Sequence, residues 1–69
     1  MKKLRLADNL KNELKAQKIS QEALAKRLNT TQATVSRWTT GENFPDFETL
    51  FLICEILNVT PNELLGWDD

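Results

Sequence analysis

Apolar positions recur at helical spacing along the whole chain. Leu6, Leu10 and Leu14 return every four residues and form one stripe, which predicts a helix over about 4–17. Leu24, Ala25 and Leu28 make the buried face of a second helix over 21–28, with Ser20 as its N-cap. Asn29 tolerates the left-handed conformation and ends that helix in a sharp turn. A third helix over 32–39 starts from Thr30 or Thr31 and carries only two large apolar residues, Val35 and Trp38. With so little apolar surface it must be held by its neighbours, and its outer side is polar or small. Gly41 closes that region, and a loop at 42–45 follows. Asp46 caps a fourth helix over 47–57, in which Leu50, Ile53, Cys54 and Leu57 fit the i, i+3, i+4, i+7 pattern. Phe47, Phe51, Leu52 and Ile56 add more apolar surface than one face of a small domain needs, which leaves some for an interface. Thr60-Pro61-Asn62-Glu63 reads as a capping box with proline at the first helical position, opening a short helix over 61–65. Strand-like alternation is absent. The expected fold is all-α, a compact five-helix bundle occupying 1–69 as a single domain.

Length and composition narrow the chemistry. A chain of 69 residues holds one core and buries only about 60% of its unfolded surface. Cys54 is the sole cysteine, so an internal disulfide is impossible, and with no histidine a metal site is not expected. Cys54, flanked by apolar residues, reads as a small core hydrophobe, with a reactive thiol as the alternative. No run approaches the roughly 20 apolar residues of a membrane span. Lys2, Lys3 and Arg5 are not followed by an apolar signal region, because Asp8, Asn9, Lys11 and Asn12 intervene. A cytoplasmic protein is expected. Without His or Tyr, and with no nucleophile–base set, an enzyme is not expected, and no cofactor site is legible.

Charge changes the picture more than the net value of −1 suggests. All nine Lys and Arg lie between Lys2 and Arg37, against three acids, leaving that part at +6; from Gly41 onward there are seven acids and no bases. Such asymmetry suits a polyanion-binding face, although solvated helix faces would look the same.

Two short helices joined by a tight turn also form the DNA-reading helix-turn-helix. Its demands are met in order: Ala25 is small where the helices cross, Asn29 turns the chain, and Leu24, Val35 and Trp38 pin the second helix. On the outer side, Gln32 can pair with adenine N6 and N7, and Arg37 can pair with guanine O6 and N7 or clamp a phosphate. Ala33 and the Thr34 methyl can touch a thymine methyl. Gln21 and Thr31 begin their helices, where backbone amides favour phosphate.

The run from Ser20 to Trp38 resembles the helix-turn-helix of the Cro and phage-repressor family, also called XRE-type. Gly41, Pro45-Asp46, Leu50, Cys54 and the run Leu57 to Leu65 resemble that family's fourth and fifth helices, so the likeness covers about Leu6 to Trp67. The resemblance implies a bacterial or phage-encoded transcriptional regulator, a repressor, binding a palindromic duplex operator as a homodimer. Carried over by position, Gln32, Ala33, Ser36 and Arg37 face base edges, while Gln21, Lys26, Thr31, Thr40 and Asn43 meet phosphates. Leu64, Leu65 and Trp67 are the expected dimer contacts. Phe44, Phe51 and Trp67 are expected in the core, with a dimer contact as the alternative. The sequence departs from the family where Thr39 stands in place of a common Glu, and where Glu42 and Asn43 replace basic residues. The family's usual Arg–Glu pair between the first helix and the end of the third is expected to be missing, and loop phosphate contacts near Glu42 fall to backbone amides. The rival function is a protein-interaction module of the same fold, an antitoxin or adaptor, which the acidic second half and the spare apolar residues favour.

Overall fold

The computed structural model describes residues 4–66. Among them five helices follow in order: α1 (Leu6–Gln17), α2 (Gln21–Leu28), α3 (Gln32–Thr40), α4 (Phe47–Leu57) and α5 (Pro61–Leu65). Two ends differ from expectation. α1 starts at Leu6 rather than near Leu4, because Arg5 occupies its N-cap with a non-helical backbone and no side-chain cap. α3 continues one residue further, to Thr40, and stops where Gly41 turns left-handed at φ 82°.

Four helices begin from the same chemistry. The side chains of Ser20, Thr31, Asp46 and Thr60 each accept a backbone N–H three residues on, from Ala23, Thr34, Thr49 and Glu63. Each satisfies a donor that the first turn leaves unpaired. At α5 the box is complete, since Glu63 Oε1 also accepts the Thr60 N–H at 2.8 Å.

Three helices end alike. Lys18, Asn29 and Asn58 are left-handed, and the next residue's N–H reaches back to a carbonyl five positions earlier: Ile19 to Leu14, Thr30 to Ala25, and Val59 to Cys54. Ile19 and Val59 then lie against the core.

The core joins all five helices. Leu6, Leu10 and Leu14 of α1 meet Leu24 and Ala25, Val35 and Trp38, Leu50, Ile53, Cys54 and Leu57, and Leu64. The Cys54 thiol is free and buried, and desolvation pushes its pKa up. α1 is the central strut: besides its leucines it satisfies helix ends elsewhere. Gln17 Nε2 donates to the Leu57 carbonyl at 2.7 Å, and Asn9 Nδ2 donates to the Leu64 carbonyl at 3.1 Å. α3 packs chiefly against α1 and α2, as a helix poor in apolar surface must. Among the described residues no helix is long and apolar enough to cross a membrane.

Candidate nucleic-acid interface

α2 and α3 are joined by Asn29, Thr30 and Thr31. Asn29 reverses the chain, Thr30 donates its N–H to the Ala25 carbonyl, and Thr31 caps α3. Ala25, Val35 and Trp38 are buried, so α3 is held on its inner side. Gln32, Ala33, Arg37 and Thr40 are exposed and Ser36 is half-buried. At 100° per residue these five positions form one continuous outer face. It presents an amide, a methyl, two hydroxyls and a guanidinium.

Thr34 is not on that face. It is half-buried, and its hydroxyl shares a 2.9 Å hydrogen bond with Thr31 Oγ1. The expectation that its methyl meets a thymine is corrected by helix geometry, which turns Thr34 towards Leu28, Trp38 and Phe44 around a shallow cleft.

The positions expected to meet phosphate differ in how far their donors are already committed. Lys26 is exposed in the last turn of α2. Asn43 is exposed in the loop. Thr31 accepts the Thr34 N–H, and Thr40 donates its hydroxyl to the Arg37 carbonyl at 3.2 Å. Gln21 is half-buried, and its Nε2 donates to Thr39 Oγ1 at 3.2 Å. Thr39 is the one buried polar side chain among the described residues, and its hydroxyl in turn donates to the Ser36 carbonyl at 2.7 Å. This chain ties the start of α2 to the end of α3. It links the same helix end that the family's Arg–Glu pair is expected to serve, using a different partner helix. A Gln that begins one helix and a Thr 18 residues later carry no sequence signal of contact.

The loop after α3 also differs from expectation. The backbone N–H groups of Gly41, Glu42 and Asn43 all turn to the Arg37 carbonyl, the latter two at 3.0 and 3.2 Å. These amides therefore already share an acceptor in the last turn of α3. Arg37 Nε lies 4.0 Å from Glu42 Oε2, with both side chains at least half exposed. The clue was the helix-ending Gly41, which folds the next residue back over the last turn.

One of the expected dimer contacts is corrected as well. Leu64 is 2% exposed and belongs to the core, so it is not free to face a partner. Leu65 is half-buried, and Trp67 lies outside the described residues. Apolar surface is exposed elsewhere: Phe44, Phe47, Phe51 and Leu52 are all more than two-fifths accessible. This overturns the expectation that Phe44 and Phe51 are core. Phe47 and Phe51, one helical turn apart, lie with ring centres 5.3 Å apart and planes tilted by 46°.

Comparison with known proteins matches this geometry to one family. The sequence model of the helix-turn-helix family fits residues 10–64. The HTH-type transcriptional activator BcrR of Enterococcus faecalis is 33% identical over 51 residues, covering 74% of this chain and 25% of the relative. The matched part thus spans about a quarter of that protein's length. A transcriptional regulator from Listeria innocua superposes with a TM-score of 0.89 at 27% identity, over 99% of this chain and 68% of its own. The P22 c2 repressor in complex with synthetic operator 9T superposes with a TM-score of 0.84 at 28% identity, over 91% of this chain and 96% of its own.

Proposed function

The chain belongs to the helix-turn-helix family of the Cro and phage-repressor type, and from that premise we propose that it regulates transcription by reading duplex DNA with the outer face of α3. The observation that carries this reading is the one-sided construction of α3: Val35, Trp38 and Thr39 hold it, while Gln32, Ala33, Ser36, Arg37 and Thr40 line the other side. A short helix with donors on its outer face fits the major groove, where each base pair presents a distinct pattern. Gln32 reads adenine, Arg37 reads guanine, and Ala33 meets a thymine methyl. Lys26, Asn43 and the N-terminal turns of α2 and α3 set position on the backbone, with Gln21 acting mainly through its bond to Thr39.

Two copies would read a palindrome with half-sites about 34 Å apart. Phe44, Phe47 and Phe51 are better placed than the buried Leu64 to supply their apolar contact. Repression is the mode for the domain alone, because occupying an operator needs no further surface. The second reading, a protein-interaction module, is favoured by the same exposed aromatics standing beside Glu48 and Glu55.

The test is selection of bound duplexes from a random library at about 0.15 M salt, beside the double variant Gln32→Ala/Arg37→Ala. A palindromic motif enriched by the wild type and lost in the variant sustains DNA reading through α3. No enrichment by the wild type removes it and favours the interaction module.

A further inference from the structure

Arg37 is the only base of α3, and the chain after it is arranged to hold an acid against it. Its carbonyl accepts the N–H groups of Gly41, Glu42 and Asn43 and the hydroxyl of Thr40. Gly41, at φ 82°, provides the reversal. The Glu42 backbone is thereby held over the last turn of α3, and its exposed carboxylate lies 4.0 Å from Arg37 Nε. The pair is exposed, so its stabilising effect on the fold is small. An anion approaching the guanidinium nevertheless meets a carboxylate beside it, which competes for one edge and repels the newcomer.

We propose that Glu42 is a specificity-determining residue: an internal competitor that withholds Arg37 from phosphates and yields it to a base edge. The inference rests on the DNA-reading role given to α3 above. A single phosphate contact is chemically close to the carboxylate contact it would displace, and Glu42 repels the phosphate besides. A guanine edge offers two acceptors to the planar guanidinium and brings no net charge against Glu42. The competitor therefore weakens non-specific binding more than specific binding. An acid at this point of the loop gives up backbone affinity and gains discrimination.

The experiment measures Kd for the wild type, Glu42→Gln, Arg37→Ala and the double variant, on the selected operator and on a scrambled duplex of equal length. Glu42→Gln is expected to tighten scrambled-duplex binding by about fivefold and to steepen its salt slope by about one. Operator binding should tighten by only about twofold or less, so the specificity ratio falls. In the Arg37→Ala background, Glu42→Gln should leave that ratio unchanged. Equal tightening on both duplexes, with or without Arg37, would show Glu42 acting only as bulk charge and would overturn the inference while leaving the DNA-reading role intact. No duplex binding by any of the four proteins would overturn that role and the inference together. Circular dichroism of each variant excludes misfolding, since both side chains lie on the surface.

Discussion

α3 and α4 are built alike and present different outer chemistry. Each begins at a side-chain cap, Thr31 or Asp46, that accepts the N–H three residues on, and each ends in a left-handed residue. Each buries an inner strip, Val35, Trp38 and Thr39 in one, Leu50, Ile53, Cys54 and Leu57 in the other. Outward, α3 shows Gln32, Ala33, Ser36, Arg37 and Thr40, whereas α4 shows Phe47, Glu48, Phe51, Leu52 and Glu55. One face carries donors suited to base edges and phosphates; the other is aromatic and acidic, which a polyanion repels. Anchoring is thus common to both helices, and the chemistry of the outer residues separates a surface suited to DNA from one suited to protein.

The largest expected effect strikes the shared part. Trp38→Ala should destabilise the domain by about 3–5 kcal/mol in urea unfolding, and α3 should lose protection from hydrogen exchange first. Unchanged stability would mean that α3 is not held from its inner side. Gln32→Ala should leave stability alone yet cost about 1–3 kcal/mol of discrimination at one base position. A uniform loss across sequences, read from binding to a set of single-base operator variants, would place Gln32 on the backbone instead. Thr31→Ala and Thr60→Ala should each cost about 1 kcal/mol of stability, and only the first should also weaken DNA binding.

Acid should act on the α4–α5 side. Hydrogen bonds from the Thr49 side chain and backbone lower the pKa of Asp46, and those from the Thr60 backbone and side chain lower that of Glu63. Both carboxylates are charged more readily when folded, so their contribution is full above the unfolded value and is lost as pH falls through the folded one. Stability should therefore decline below the ordinary carboxylate range of about pH 4, and Glu63→Gln should flatten that decline in acid-unfolding curves. The smallest effect is at the aromatic face. Phe47→Ala should change monomer stability by no more than about 0.5 kcal/mol but lower cooperative binding to a two-half-site operator. Equal cooperativity in variant and wild type would remove α4 from the dimer contact.

Much of this fold is legible in residue order alone. The leucine stripe of α1, the polar caps before α2 to α5 and the turn residues Asn29 and Gly41 act over one or two helical turns, so their spacing reveals them. The outer face of α3 is legible for the same reason, once Val35 and Trp38 mark its inner side. Lys18 was not legible as a stop, because nothing in its chemistry favours the left-handed backbone it adopts. The contacts that join distant segments were not legible either. Gln21 to Thr39, Gln17 to the Leu57 carbonyl and Asn9 to the Leu64 carbonyl span 18, 40 and 55 positions.

The sequence by itself determined that five helices form, where most of them start and stop, and which strip each one buries, since those choices are settled by neighbours within a few residues. Only the tertiary structure decided which apolar residues were surplus: Leu64 went inside, and Phe44, Phe47 and Phe51 were left out. It also decided which donors were committed, turning Gln21 inward to Thr39 and setting Glu42 against Arg37. Both outcomes depend on how much room the packed helices leave and on which side chains meet across it, and local spacing carries no record of either.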